Sequence, residues 1–256
     1  MASPGYIDLH CHLLPGMDDG SQNLEDSVAM ARALAAAGFS DVAPSPHAWP
    51  ELPDAAAAAE RRAELASRLG EEGIALALHP NAENRLDAEL LERLERRDAR
   101  PLGAGRYLLV EAPFEAPLPR IMDFVFRLQT KGYRPLVAHP ERCREFRDHP
   151  ERAGQIVDAG GALQLELGAL PGRYGPEARR LAERLLDEGR YAVAATDLHG
   201  PVGAERWIPE GILALQRRVG GEAALRLLRE NPAAVLRGEA LPSDLMGGGA
   251  RAGGVR

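Results

Sequence analysis

Two histidines separated by one residue lie near the start of the chain, at the end of a short apolar run over residues 6–10. Because the side chains of a strand alternate between its two faces, we expect His10 and His12 to share a face, where two imidazoles can bind one cation. Two carboxylates, Asp18 and Asp19, follow in a glycine-bracketed turn that can fold back toward this strand. The His-x-His pair alone is a weak motif, so the metal-site hypothesis depends on the rest of the chain.

Imidazoles and carboxylates also follow several later apolar runs. A single group of this kind is equally well explained by a helix cap or a solvated strand end. Its recurrence after successive strands indicates one shared site, because the carboxyl ends of the strands of a parallel barrel meet at one face. The residues in these positions are His47, Glu83, Glu111, His139, Asp197 and His199.

The candidate ligands are only Asp, Glu and His, with no thiolate. Such ligands favour borderline or hard divalent ions, such as Mn, Fe, Zn or Mg. Since one ion takes roughly four to six ligands, the set can fill two or three sites and leave positions open for water and substrate. Clustered divalent ions suit in-line displacement at phosphorus, because they lower the pKa of water and hold the phosphate oxygens. The sequence therefore indicates a phosphoester as the substrate class.

Strand-like apolar runs alternate with helical patterns through almost the whole chain, which is typical of repeated βα units and a parallel sheet. The predicted strands cover residues 6–10, 41–44, 74–78, 107–111, 135–138, 162–165 and 191–195. The predicted helices cover residues 24–37, 55–72, 87–97, 118–131, 151–159 and 176–188, with two or three more between 209 and 236. Such a series of βα units favours an α/β fold with a closed or nearly closed barrel.

Length, composition and charge limit the class of protein. The 256 residues, 45% hydrophobic and 27% charged, predict one globular domain over residues 1–240 and a Gly-rich, disordered tail over residues 241–256. The formal net charge of -7 argues against broad nucleic-acid binding. No run approaches the roughly 20 apolar residues of a membrane helix, and no secretory signal is recognisable. We therefore expect no membrane insertion and a cytoplasmic location, with Cys11 and Cys143 as reduced thiols.

The motifs, in chain order, are Asp8-Leu9-His10-Cys11-His12, Pro44-Ser45-Pro46-His47, Glu83, Glu111, Ala138-His139-Pro140-Glu141-Arg142 and Thr196-Asp197-Leu198-His199. Their order and spacing resemble the PHP (polymerase and histidinol phosphatase) superfamily over residues 6 to 237 or so. Within that superfamily, the turn over residues 15–21 and the following Leu24-Glu25-Asp26-Ser27 are similar to the bacterial manganese-dependent protein-tyrosine phosphatases of capsule and exopolysaccharide operons.

The resemblance implies a distorted (βα)7 TIM-like barrel of the PHP type with three metal ions. The implied ligands of the first ion are His10, His12, Glu83 and Asp197. Those of the second ion are Glu83, as a bridge, with Glu111 and His139. Those of the third ion are the turn aspartate, His47 and His199. Asp19 is favoured over Asp18 as the turn aspartate, and the choice between them stays open.

The resemblance also implies residues that bind the substrate. Arg142 matches a family arginine that is expected to bind the phosphate. The loop after the last ligand usually carries an arginine before prolines, and here Arg206 occupies that loop with altered spacing, as a second expected substrate-binding residue. Ala48 stands where the family often has another histidine, and Cys143 where it often has tyrosine. These departures preserve the ligand set and leave the substrate fit open.

The leading hypothesis is hydrolysis of phosphotyrosine on a protein, namely a bacterial tyrosine kinase that controls capsule or exopolysaccharide synthesis, with manganese as the metal. Arg142 and the metals would stabilise the charge at phosphorus, and Asp19 or His199 would protonate the leaving phenolate. A cysteine-dependent phosphatase is rejected, because it requires an arginine six positions after its cysteine. Met17 and His149 stand at those positions.

Three alternatives remain beside this hypothesis. The first is a small-molecule phosphatase of the same superfamily with a substrate such as histidinol phosphate, which the Asp18-Asp19-Gly20 turn disfavours. The second is a nuclease or proofreading module, which the acidic net charge disfavours. The third is a non-catalytic regulator that only binds metal. The physiological metal, the protein substrate and the oligomeric state stay open.

Overall fold

Strands and helices alternate along the chain, as the sequence predicts. The computed structural model describes residues 5–49, 51–87, 89–96, 100–118, 120–242 and 244–246. The strands are β1 (Tyr6–Cys11), β2 (Phe39–Pro44), β3 (Ala77–Leu78), β4 (Asn84–Arg85), β5 (Tyr107–Glu111), β6 (Arg134–Ala138), β7 (Ala162–Glu166) and β8 (Val193–Ala195). The helices are α1 (Leu24–Ala36), α2 (Ala55–Glu71), α3 (Leu90–Glu95), α4 (Ile121–Thr130), α5 (Arg144–Asp148), α6 (Pro150–Asp158), α7 (Gly175–Asp187), α8 (Ala204–Val219), α9 (Gly221–Leu225) and α10 (Asn231–Leu236).

Local sequence explains where several helices begin and end. The side chain of Asn23 accepts a hydrogen bond from the backbone N–H of Asp26 at 2.8 Å, which caps α1. Asp54 caps α2 in the same way. The turn after α1 contains Gly38 at φ +97°, a left-handed conformation that glycine adopts without steric cost.

All the described strands pair in parallel, within two sheets of order β1-β2-β3 and β4-β5-β6-β7-β8. Isolated bridges link the sheets at two places, Cys11 to Leu198 and His47 to Glu83. At the first bridge, the N–H of His12 donates to the carbonyl of Leu198 at 2.9 Å. Both bridges therefore lie at residues that the sequence analysis singles out, or next to them.

The predicted α/β fold with parallel strands is confirmed, whereas a single closed (βα)7 barrel remains a prediction. The structure has one strand more than predicted, β4, whose two residues are too short to give a periodic pattern. The predicted strand over residues 74–78 is reduced to its last two residues. The last helical region begins earlier than predicted, at Ala204, and Pro209 lies inside α8.

The apolar side chains form two clusters. The larger cluster contains apolar side chains of both helices and strands, and the smaller one joins β1, β5 and β6 through Leu9, Leu109 and Leu136. Leu245 also belongs to the smaller cluster, and its carbonyl accepts a hydrogen bond from Asn231 Nδ2 at 2.9 Å. Residues 247–256, most of the predicted tail, lie outside the described residues. Among the described helices, none has the length and apolar character needed to span a bilayer.

The contact between α8 and the segment after β7 gives a test of the packing. A Cβ at Gly211 would lie 2.9 Å from the carbonyl oxygen of Leu167, so Gly211→Ala must displace backbone. We expect this variant to lose about 1–3 kcal/mol of unfolding free energy in urea denaturation. The control is Gly70→Ala in α2, where a Cβ meets nothing within 4 Å and should be neutral or stabilise by up to about 1 kcal/mol. Equal stabilities for the two variants would contradict this packing.

Candidate metal centre

His10 of β1 and His12, directly after β1, meet two carboxylates from distant parts of the chain. His10 Nε2 lies 3.2 Å from His12 Nε2. The same His10 nitrogen lies 3.3 Å from Glu83 Oε2 and 3.1 Å from Asp197 Oδ1. His12 Nε2 is 3.4 Å and 3.3 Å from these two oxygens. All four side chains are buried, so their ligand atoms converge on one small enclosed volume.

Glu83 also connects this group to a second one. While its Oε2 faces His10 and His12, its Oε1 lies 3.2 Å from His139 Nε2. The same histidine nitrogen is 4.0 Å from Oε1 of Glu111. One carboxylate can therefore offer an oxygen to each of two neighbouring cations, which is the bridging role implied by the resemblance.

A third group lies at the more exposed side of the centre. Asp19 Oδ1 is 3.4 Å from His47 Nε2 and 3.6 Å from His199 Nε2. With His12, these residues could jointly hold a cation. Because the Asp19 side chain is 71% exposed, this third group faces solvent, whereas the first is closed.

The neighbouring carboxylate, Asp18, has a different environment. Its Oδ2 lies 2.7 Å from His12 Nδ1 and accepts a hydrogen bond from the backbone N–H of His47 at 2.9 Å. Its Oδ1 accepts one from Gly20. Although burial opposes ionisation, the contact with His12 lowers the pKa of Asp18 to about 2. Asp18 therefore orients a candidate ligand from behind, and Asp19 is the turn carboxylate that faces the other imidazoles.

Two of the candidate ligands have an unusual backbone. Among the described residues, the non-glycine residues with positive φ are His139, at 30°, and Asp197, at 49°. Left-handed conformations of such residues cost roughly 1–3 kcal/mol and persist only where the surroundings impose them. At Asp197 the surroundings include a backbone hydrogen bond to the carbonyl of His10, 2.8 Å long.

Residues to which the sequence analysis gave no role support the candidate ligands. Gln164 on β7 places Oε1 2.9 Å from His10 Nδ1, which directs Nε2 of that ring toward the other ligands. Asp8 is fully buried and accepts hydrogen bonds from the N–H and hydroxyl of Thr196, next to Asp197. Burial, outweighing these hydrogen bonds, raises the pKa of Asp8 to about 6. A polar residue inside an apolar strand was the available signal for both Gln164 and Asp8.

The electrostatics of the cluster fit divalent cations. Burial lowers the pKa of His10, but the carboxylates of Glu83 and Asp197 outweigh it and raise this pKa well above 6.5. Asp197 Oδ1 is buried and accepts no hydrogen bond of good geometry, although His10 lies close. Buried acceptors without a donor are rare in folded proteins, and a bound cation would satisfy this one.

The arginine predicted to bind phosphate borders the cluster. Arg142 Nη1 donates to Asp197 Oδ2 at 2.5 Å and to Glu166 Oε2 at 3.2 Å. The rings of Phe114 and Tyr174 lie 4.6 Å and 4.4 Å from its guanidinium carbon. These contacts fix the orientation of the guanidinium. Because both rings lie over its faces, only its edge can form further hydrogen bonds.

A cleft of about 480 Å³ opens over these groups. Its lining includes Asp19, Arg142, Arg173, Tyr174, Asp197, His199, Val202 and Trp207. Arg206, which is predicted to bind the substrate, is not part of this lining. Its side chain is 82% exposed on α8 and pairs with Glu210 at 3.1 Å. The helix begins at Ala204, earlier than predicted, so Arg206 belongs to its first turn and not to the loop.

Comparison with known proteins agrees with this geometry. The family model for capsular polysaccharide synthesis proteins CpsB/CapC matches residues 6–237. The chain belongs to the CpsB/CapC family. The family relationship expected from the sequence motifs is thus confirmed, over the same range of residues.

Individual relatives of this CpsB/CapC member have named activities. The tyrosine-protein phosphatase YwqE of Bacillus subtilis is 34% identical over 240 residues, which cover 92% of this chain and 93% of YwqE. The tyrosine-protein phosphatase CpsB of Streptococcus pneumoniae is 22% identical, over 90% and 98% of the two chains. A solved structure described among those of YwqE and CpsB, "unique metal-dependent tyrosine phosphatases", has a TM-score of 0.85 and 33% identity, over 91% and 95% of the two chains.

Glu83 lies between two groups of candidate ligands, so its substitution tests the metal centre. We expect Glu83→Gln to reduce the number of bound divalent metal ions by more than one per chain, because each oxygen of Glu83 faces a different group of candidate ligands. Metal content after dialysis is measured by inductively coupled plasma mass spectrometry. The matched control is Glu95→Gln on α3, an exposed glutamate paired with Lys131, which should retain the wild-type metal content. Unchanged metal content in Glu83→Gln would contradict the assignment.

Proposed function

We propose that this chain is a metal-dependent protein-tyrosine phosphatase that acts in capsular and exopolysaccharide synthesis. The observation that carries the proposal is a cluster of four overlapping groups of candidate metal ligands, two of which contain Glu83, beside a cleft that Arg142 also lines. The similarity to YwqE and CpsB, both named tyrosine-protein phosphatases, supports the same activity. A phosphate ester bound in this cleft contacts the ligand clusters and a guanidinium together, as phosphoryl transfer requires.

The proposed metal is manganese, in three sites. The first site would use His10, His12, Glu83 and Asp197. The second would use Glu83, Glu111 and His139. The third would use Asp19, His47 and His199. When bound, such ions lower the pKa of water and hold the phosphate oxygens. The absence of thiolates from the donor set supports manganese, with Fe, Zn or Mg as the alternatives.

Arg142 binds the phosphate in this proposal. Its planar guanidinium matches two phosphate oxygens, and the charge-assisted hydrogen bonds strengthen as charge develops on those oxygens. Glu166, Phe114 and Tyr174 hold the group in place before the substrate arrives. The carbonyl of Arg142 also accepts a hydrogen bond from Arg147 Nη1 at 2.6 Å, which fixes its backbone. The substrate phosphate therefore meets a guanidinium that is already oriented.

The leaving phenolate needs a proton, and in this proposal Asp19 or His199, whichever does not ligate the third ion, relays it from solvent water in the open cleft. Asp19 and His199 both line the cleft, and their side chains are 71% and 35% exposed. His199 Nδ1 donates to the carbonyl of Asp197 at 2.9 Å, which fixes the orientation of the ring. Either group lies at the open side of the centre, where the tyrosine oxygen departs.

A cysteine nucleophile is excluded on structural as well as sequence grounds. Both cysteines are fully buried, Cys11 beside the carbonyl of Leu198 and Cys143 beside that of Ala112. Burial raises the pKa of the Cys143 thiol well above its ordinary value, and the same holds for Cys11. Neither residue forms the thiolate that nucleophilic attack requires.

The proposed protein substrate is a phosphorylated bacterial tyrosine kinase that controls polysaccharide synthesis, in the cytoplasm. The CpsB/CapC family match and the phosphatase names of the relatives support this partner. Two free, buried cysteines are consistent with a reducing compartment. We also propose that the two sheets form one distorted (βα)7 barrel, which is supported by the bridges at Cys11 and His47.

Removal of the metals tests the proposed function. We expect the chelated protein to lose at least about 99% of its turnover of a phosphotyrosyl peptide, because no side chain replaces the metals in activating water. Manganese added after removal of the chelator should restore the activity. Phosphate release is measured with and without chelator, for the peptide and for histidinol phosphate in parallel. Equal rates for the apo and manganese-loaded protein would refute the metal mechanism, and a preference for histidinol phosphate would favour the small-molecule alternative.

Substitution of the arginine tests its predicted role. We expect Arg142→Lys to lower kcat for the phosphotyrosyl peptide by about 10²–10³-fold, since lysine keeps the charge and loses the paired donors. Bound metal should stay at the wild-type level, which separates this effect from damage to the centre. Arg144→Lys is the matched control on the same segment, an exposed arginine paired with Asp148. A kcat for Arg142→Lys within twofold of wild type would contradict the assignment.

A further inference from the structure

A second arginine lines the cleft without belonging to the metal centre. Arg173 follows the short helical segment after β7 and lies in the lining together with Arg142. Its guanidinium carbon lies 4.6 Å from the ring of Trp207, which is buried on α8. This stacking limits the positions that the long side chain can adopt. The sequence analysis assigned the second cleft arginine to Arg206, which lies outside the cleft.

The positive charge of Arg173 is not neutralised by a neighbouring carboxylate among the described residues. Arg142 pairs with two buried carboxylates, whereas Arg173 forms no ion pair with any of the described residues. The other cleft carboxylates, Asp19 and Asp197, both lie farther from it than an ion pair requires. An exposed cation that is stacked on a ring and lines a cleft can accept an anion at little conformational cost.

The backbone around Gly168 fixes the position of Arg173 in the cleft wall. The N–H of Arg173 donates to the carbonyl of Gly168 at 3.1 Å. A Cβ at Gly168 would lie 2.9 Å from Cδ of Arg173, so a larger residue at position 168 would push the side chain away. The next residue, Tyr174, covers the guanidinium of Arg142. Arg173 and the ring that covers Arg142 thus lie on the same segment after β7, and of the two arginines only Arg142 pairs with a candidate metal ligand.

We propose that Arg173 is a specificity-determining residue, which binds an anionic group adjacent to the phosphotyrosine on the same peptide. The proposal rests on the proposed phosphatase function. The scissile phosphate must lie among the metal ligands and Arg142. Arg173 has no ion pair with those carboxylates, so it binds a different anion of the substrate. The anion is either an acidic side chain or the phosphate of a neighbouring phosphotyrosine, which share the charge-assisted contact to a guanidinium.

Three peptides of one length test the proposal. Each contains a central phosphotyrosine, flanked by alanine, by aspartate or by a second phosphotyrosine. For the manganese-loaded wild type we expect kcat/KM to be about tenfold higher for the charged peptides than for the alanine peptide. Arg173→Gln should bring this ratio close to one, and Arg173→Lys should restore part of it. A preference for the aspartate peptide identifies a carboxylate as the ligand, and a preference for the doubly phosphorylated peptide alone identifies a phosphate.

Control variants and a binding measurement make the outcome decisive. Arg179→Gln changes an exposed arginine of α7 that pairs with Glu183, and it should keep the wild-type ratio. A wild-type ratio of one, a ratio unchanged in Arg173→Gln, or a loss in Arg206→Gln instead would each overturn the proposal. Calorimetry with the same peptides, carrying a non-hydrolysable difluoromethylphosphonate, measures the ratio of Kd values independently of turnover. If no peptide is hydrolysed, the phosphatase function fails, and the Kd ratio still decides the role of Arg173.

Discussion

The buried carboxylate of Glu83 is the contact on which the rest of the centre depends. Its Oε2 lies within 3.4 Å of ring nitrogens of His10, His12 and His47, and its Oε1 is 3.2 Å from His139. Burial opposes its ionisation, yet these histidines, His10 first, hold the pKa of Glu83 well below 4.5. A charge with 1% exposure is stable only when it is compensated in this way. The backbone of Glu83 also bridges to His47, so the residue that gathers the imidazoles is fixed between the two sheets.

The sequence predicted the features of the site that follow from strand geometry. The two-residue period of a strand placed His10 and His12 together, and the rule for strand ends brought Glu111 and His139 to the same centre. The alternation of strands and helices predicted the α/β class in the same way. These features depend on local sequence patterns that the tertiary structure leaves unchanged. The choice between Asp18 and Asp19 depended on the path of a turn, which no periodicity encodes.

Other features depend on contacts between residues far apart in the chain. Gln164 supports His10 across 154 positions, and the sequence near either residue gives no sign of the pair. The position of Arg206 likewise could not be predicted from spacing, because α8 begins at Ala204 and places this side chain in its exposed first turn. The position of Arg173 in the cleft depends on its contact with Trp207 of α8, a residue that is distant in the sequence. The spacing from a sequence motif can identify a loop near the site. Which side chain of that loop lines the cleft depends on how the loop packs in the folded protein.

The candidate ligands come from both sheets, with His10 on β1 and His12 directly after it on one side, and Glu111 and the residues after β6 and β8 on the other. An ion that binds residues of both groups would therefore stabilise the contact between the two sheets. An ion at 100 times its Kd adds about 2.7 kcal/mol to the stability of the folded chain. A shortage of metal would consequently shorten the lifetime of the protein against cellular proteases, in addition to stopping its chemistry. The amount of enzyme in the cell would then follow the supply of its ion.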